Sequence, residues 1–246
     1  MNKSVSGFLE KLEEINDEKI KVYIPSIKKE INTTPLTLKQ QKDLIASTLD
    51  GVKGLLNFNK TLNKIILDNT DNKDLKLYDK FPFVIHLRKQ SLGNKVKQDD
   101  NIINLDKVIE NIKKIPFKIK DKHEVSLKSL RVGLKVPTLL EENTILTKGE
   151  QDVVVDENST KESVGMLYML EILKYIDSLT IEEDVIEFDK IKINERIKLI
   201  EQLPLSMYSE ISNYIEKINE YLNDILTVDE VLISIDATFF DTSDID

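Results

Sequence analysis

The spacing of apolar residues along the chain switches between a helical and a strand-like period, and each switch marks an element. In Ser6–Glu18, Phe8, Leu12 and Ile15 recur three or four apart among Glu and Lys, which predicts an amphipathic helix. KVYIPSIKKEINTTPLT (21–37) alternates around Pro25 and Pro35. Proline is excluded from helix interiors and central strands, so this stretch predicts a short hairpin. Thr37-Leu38-Lys39-Gln40 has the spacing of a capping box, and Gly51 and Gly54 read as the end of the helix it opens. Leu55, Phe58, Leu62 and Ile65 define the next helix, closed by the loop DNTDNKD (68–74). YDKFPFVIHLRKQSLG (78–93) predicts a buried helix begun near Pro82 and stopped at Gly93. Asn104–Lys114 predicts another, with Leu105, Val108, Ile109 and Ile112 on one side.

IPFKIKDKHE (115–124) has no clear period and reads as a boundary. LRVGLKVPTLLEENTILTKGEQ (130–151) reads as a second strand region. It resembles the first: Ile24-Pro25-Ser26-Ile27 parallels Val136-Pro137-Thr138-Leu139, Glu30 parallels Glu142, and Leu36-Thr37 parallels Leu146-Thr147. An internal duplication of a hairpin-then-helix unit is one reading; the recurrence of Pro and β-branched residues in any two edge hairpins is the other. Ser159-Thr160-Lys161-Glu162 is a capping box for a helix with Leu167, Leu170, Leu173 and Ile176 on one face. Asn194 caps ERIKLIEQL, which stops at Pro204. In Leu205–Leu226, Met207, Ile211, Tyr214, Ile218, Tyr221 and Ile225 fall 4, 3, 4, 3 and 4 apart, a 3.5-residue seam of the coiled-coil kind. The end, VLISIDATFFDTSDID, reads as a short strand, an exposed Phe239-Phe240 pair and an acidic tail.

These elements predict an α+β fold, predominantly helical, with two small antiparallel hairpin elements at about 20–38 and 130–156. The organisation divides into an N-terminal amphipathic helix (1–20), a basic hairpin-plus-helices region (21–124) and an acidic one (125–246). Charge sharpens this picture. Residues 151–246 carry 23 acidic and 7 basic side chains, a net of −16, whereas residues 1–150 carry 28 basic and 21 acidic, a net of +7; the whole chain is −9. Such halves can dock on each other or on neighbours of opposite sign. Only Arg88, Arg131 and Arg196 are Arg, and Lys lacks the bidentate phosphate grip of Arg, so nucleic acid is not the expected partner. With 40% apolar and 32% charged residues over 246 positions, the chain has the makings of a soluble folded core. No apolar run approaches the roughly 20 residues of a membrane span, and the first residues do not have the form of a signal peptide. The expectation is a soluble intracellular protein.

The chain offers little to catalysis. Zero Cys excludes disulfides and thiolate chemistry. Of two His, His86 sits between Ile85 and Leu87 as a packed residue and His123 among charges; neither forms a metal-ligand pair. DNTDNKD and DENSTKE (156–162) space oxygens like a calcium loop but lack its central Gly and final Glu, and read as solvated loops. Glu141-Glu142 and Glu182-Glu183-Asp184 also read as wet faces. KKIPFKIKDK (113–122) interleaves Lys113, Lys114, Lys118, Lys120 and Lys122 with Phe117 as a single-strand platform would, yet one Phe in an alternating strand reads more simply as core-facing. No phosphate-binding glycine loop or nucleophile elbow is present. No catalytic residue, cofactor or metal site is assigned. What remains is apolar surface for partners: Phe8, Leu12 and Ile15; Met207, Ile211, Tyr214, Ile218, Tyr221 and Ile225; and Phe239 and Phe240.

The order of segments adds a resemblance. VYIPSIKKEINTTPLTLKQQKDLIAS, FVIHLRKQSLG, INERIKLIEQLPLSMYSEISNYIEKI and the finish Asp236-Ala237-Thr238-Phe239-Phe240 together resemble the small baseplate hub and hub-assembly proteins of T-even-like contractile-tailed bacteriophages. ILTVDEVLISID stands where a Cys pair is expected of many relatives, so the resemblance implies no metal or redox role there. It implies a non-enzymatic structural or assembly protein of the tail baseplate hub, acting by protein–protein interaction with other baseplate or hub proteins. Its place would be the virion, or the host cytoplasm during assembly. Whether it also self-associates stays open. Two alternatives stand beside this: a nucleic-acid-associated accessory protein using the basic half, and a magnesium-dependent enzyme with a carboxylate-only site, for which two carboxylates and water suffice.

Overall fold

A computed structural model describes residues 3–16, 19–49, 53–98, 100–152 and 160–241. It opens with helix α1 (Lys3–Asn16), followed by the antiparallel hairpin of β1 (Ile20–Ile24) and β2 (Lys29–Thr33), with Ile20 opposite Thr33 and Ile24 opposite Lys29. Helix α2 (Leu38–Ser47) starts on the predicted capping box: the Thr37 hydroxyl accepts from Gln40 N at 3.2 Å, and Gln40 Oε1 accepts from Thr37 N at 3.0 Å. Gly54 does not end this helix. It begins α3 (Gly54–Asn69), where a Cβ would lie 2.7 Å from the Thr48 carbonyl oxygen, so the tight passage from α2 to α3 requires Gly.

Helix α4 (Lys80–Leu92) forms the centre, stopped at Gly93 as its sequence predicts. Phe83, Val84, Ile85 and Leu87 are buried on all its sides, the mark of a helix surrounded by other elements. It touches β1, α3 and α5 (Leu105–Lys114), the last capped by Asn104 and burying Leu105, Val108 and Ile112. A hairpin of β3 (Lys95–Gln98) and β4 (Asn101–Asn104), unforeseen in the sequence, leads into α5. Beyond it, β5 (Lys122–Leu127), β6 (Leu130–Lys135), β7 (Ile176–Ile181) and β8 (Asp184–Glu187) form one antiparallel sheet in chain order. Helices α6 (Leu139–Asp152) and α7 (Thr160–Leu173) are inserted between β6 and β7. Helices α8 (Ile193–Glu201) and α9 (Leu205–Leu226) follow, then a two-residue pairing of β9 (Thr227–Val228) with β10 (Val231–Leu232).

The mostly helical α+β class holds, and three details change. The second hairpin is 122–135, not 130–156: Pro137 and Thr138 end the strand, and Thr138 caps α6, accepting from Glu141 N at 3.2 Å. The proposed duplication fails structurally, because Glu30 lies in strand β2 and Glu142 in helix α6. Lys192, rather than Asn194, stands at the N-cap position of α8, where its backbone N–H donates to Glu195 Oε2 at 3.0 Å. Ser159 of the second predicted capping box lies outside the described residues. Apolar residues of both charged regions, from Val22 to Phe240, share one core.

Candidate interaction surfaces

Helix α9 keeps its seam and turns it inward. Met207, Ile211, Tyr214, Ile218, Tyr221 and Ile225 are all buried against α5, β5 and their surroundings. Tyr214 donates from its hydroxyl to the Lys120 carbonyl at 2.9 Å and stacks on His123. Tyr221 meets Phe117 and Tyr78 edge-on. A 3.5-residue spacing demands a partner surface without saying which chain provides it, and here the same chain does.

Phe239 and Phe240, expected outside, are sealed inside. Arg88, itself wholly buried, explains how. Its Nε donates to the Phe239 carbonyl at 2.9 Å, and its Nη1 and Nη2 to the carbonyls of Gly93 and Lys95 at 2.8 and 3.1 Å. Gln41 Nε2 adds a bond to the Phe240 carbonyl at 2.7 Å. The final segment is therefore fastened into the first half of the chain.

Of the predicted contact residues, Phe8 and Leu12 on α1 remain exposed, at 65% and 41%, beside exposed Val5 and Leu9. The side chain of Ile15 lies outside the described residues. Two surfaces escaped sequence reasoning. One is the apolar edge at Ile181, Val185 and Ile186, hidden in a run read only as acidic. The other is a groove of about 420 Å³ between α7 and α9, bordered by Tyr168, Tyr208, Glu171 and Glu216. Tyr168 and Tyr208, each standing off its helix's predicted apolar stripe, were the available signal for it.

The polar chemistry is mostly internal. In the basic segment Ile115, Phe117 and Ile119 face inward and Lys118 and Lys120 outward, and Phe117 stacks on Tyr78 at 3.7 Å, which leaves no free aromatic platform. Glu142, expected on a wet face, is buried. Its carboxylate accepts from Lys174 Nζ at 2.9 Å, from Asn63 Nδ2 at 2.8 Å, and pairs with Lys80. Burial alone would raise its pKa, but Lys174 and Lys80 hold it down, to about 2. Lys174, which also meets Glu171 at 2.6 Å, resists burial and titrates well above its ordinary value, whereas Lys80 is lowered because burial outweighs its one close carboxylate. Asp79, also buried, accepts from the backbone N–H groups of Ser26 and Lys76 at 2.9 and 2.8 Å; burial nevertheless pushes its pKa up to about 6. His86 donates from Nδ1 to the Pro82 carbonyl at 2.8 Å within α4. Among the described residues no group of three His, Cys, Asp or Glu could hold a metal ion, and no helix is long and apolar enough to cross a membrane.

The family model of the T4 bacteriophage base plate protein matches residues 17–228. The chain belongs to this family. The match takes in the central helix α4, the four-stranded sheet and the inward-facing seam of α9, so this baseplate-family core is the part that the chain's own apolar residues complete. Helix α1 and the Phe239-Phe240 segment lie outside the matched residues. No curated protein and no solved structure matches the chain.

Proposed function

We propose that this baseplate-family protein is a structural or assembly component of the tail baseplate hub, and that it works by holding other baseplate proteins in register. The exposed apolar strip of α1 carries the reading. The other predicted strips, on α9 and at Phe239-Phe240, close the molecule's own core, whereas Val5, Phe8, Leu9 and Leu12 stay in water. Burial of such side chains would each contribute roughly 1.5–3 kcal/mol, and an amphipathic helix gains this by lying in an apolar groove of a partner. An exposed apolar surface that would bind another subunit fits a templating role, in which the correctly assembled geometry is the one favoured by binding.

Mass spectrometry of purified virions and of hub intermediates tests this directly. Peptides from the protein in mature particles identify a subunit. Peptides in intermediates alone identify a factor that leaves, and their absence from both overturns the reading. The variant F8E/L12E addresses the contact itself. It alters exposed positions, so its stability stays within about 0.5 kcal/mol of the parent, while its association with hub intermediates is lost. Wild-type levels of association in this variant would remove α1 from the interface.

A further inference from the structure

The four-stranded sheet ends differently on its two sides. Strand β5 packs along α9, whereas β8 pairs only with β7 within the sheet, and all four of its residues are exposed. The two-residue turn Glu182-Glu183, with Glu182 at φ +55°, joins Ile181 to Asp184, which are opposite each other. In such a hairpin the residues flanking the turn form a hydrogen-bonded pair, and pairing alternates from there. Asp184 and Ile186 therefore direct their N–H and C=O groups to β7. Val185 and Glu187 direct theirs outward, to the side where, among the described residues, no strand of the sheet lies.

The side chains match this open edge. Ile186 prolongs the core-facing row of Val125, Val132 and Leu179, yet it is 39% exposed, and Val185 on the other face is 59% exposed. Open edges are commonly guarded by charge. The guards here are all acidic: Glu182, Glu183, Asp184 and Glu187, with Lys190 meeting Glu187 at 2.5 Å.

We propose that β8 is a docking edge for an extended, basic segment of another protein, which adds to the sheet as a fifth, antiparallel strand. Opposite charges and apolar pairs are favoured across neighbouring strands, so the complement of Asp184-Val185-Ile186-Glu187 is a run of basic, apolar, apolar, basic. A second copy of this edge fits poorly, because the outward groups of two β8 strands meet only in registers that set Glu183 against Glu187, Val185 against Glu187, or Glu187 against itself. The net charge of −16 over residues 151–246 also draws a basic segment in from a distance. This inference rests on the reading of the protein as an assembly component but on a different element from α1. Failure of the edge leaves the α1 experiment intact, and the reverse holds too.

The probe is a labelled peptide, Thr-Lys-Val-Val-Lys-Thr, titrated with the full chain by fluorescence anisotropy beside its counterpart Thr-Glu-Val-Val-Glu-Thr. The Lys peptide binds at least tenfold more tightly and slows amide exchange at Val185 and Glu187. V185P, which deletes an outward N–H and leaves the bonds to β7, weakens binding at least tenfold. D184K/E187K reverses the preference between the two peptides and keeps the hairpin, so a folding defect in V185P does not decide the outcome. No binding of the Lys peptide, no preference between the peptides, or binding indifferent to both variants overturns the proposal. So does a concentration-dependent dimer abolished by V185P, which would make the occupant a second copy.

Discussion

Replacement of Glu142 by Gln leaves the buried ammonium groups of Lys80 and Lys174 without their shared counter-charge. The expected cost is about 3–5 kcal/mol, measurable by urea unfolding, since breaking the buried cluster strands Lys80, while Lys174 keeps Glu171. Asp79 acts in the opposite sense with pH. Its folded pKa of about 6 lies above its ordinary value, so the folded state binds the extra proton between about pH 4 and 6. Stability from this group is present at the acid end and is lost as pH rises through 6, by on the order of 2–3 kcal/mol. D79N removes the dependence: the stability of wild type minus that of D79N should fall from pH 4 to pH 7 in paired melting curves, and a constant difference would contradict it. Neither residue's role was legible in sequence. Glu141 and Glu142 are chemically alike, and only the Thr138 cap, which recruits Glu141 at 2.7 Å, decides which carboxylate turns inward.

Elements were more legible than residues where local signals agree. The Thr37 cap, Gly93 stop and 3.5-residue seam each fix a helix from a few neighbouring positions, and all three stand in the structure. Strands were less so. In β3–β4, Lys95, Lys97, Asn101 and Asn104 leave only Val96 and Ile103 buried, too few for an alternating pattern to show. In β7–β8 the acidic turn masked the apolar edge. Gly54 marks the limit of reading glycine as a stop: G54A should improve helix propensity and still destabilise by about 1–3 kcal/mol, because the new methyl meets the Thr48 backbone. A thermal melt shifted upward in G54A would refute that close approach. On the candidate site, the amphipathic pattern found α1, since one helix face suffices to define it. It could not separate a seam covered at home from one left open.

At the scale of the whole molecule, the division of charge into basic and acidic regions does not divide the core. Arg88 and Gln41 in the basic half bind main-chain oxygens of the Phe pair at the far end, and Phe240 lies 6.4 Å from Phe58 between ring centres. Replacing Phe240 by Ala should cost about 3–5 kcal/mol and expose the α2–α3 region to proteolysis. Equal protease resistance in F240A would show that the closure is dispensable. The same closure sets a schedule for synthesis. Gln41 waits for an acceptor 199 positions later, which at about 5–20 residues per second is a delay of roughly 10–40 s. A chain interrupted before Phe239 has every matched baseplate element and still lacks the plug for its first half. Only synthesis past Phe240 can therefore shut this core, and a chain released before that point would leave the α2–α3 region open to proteases.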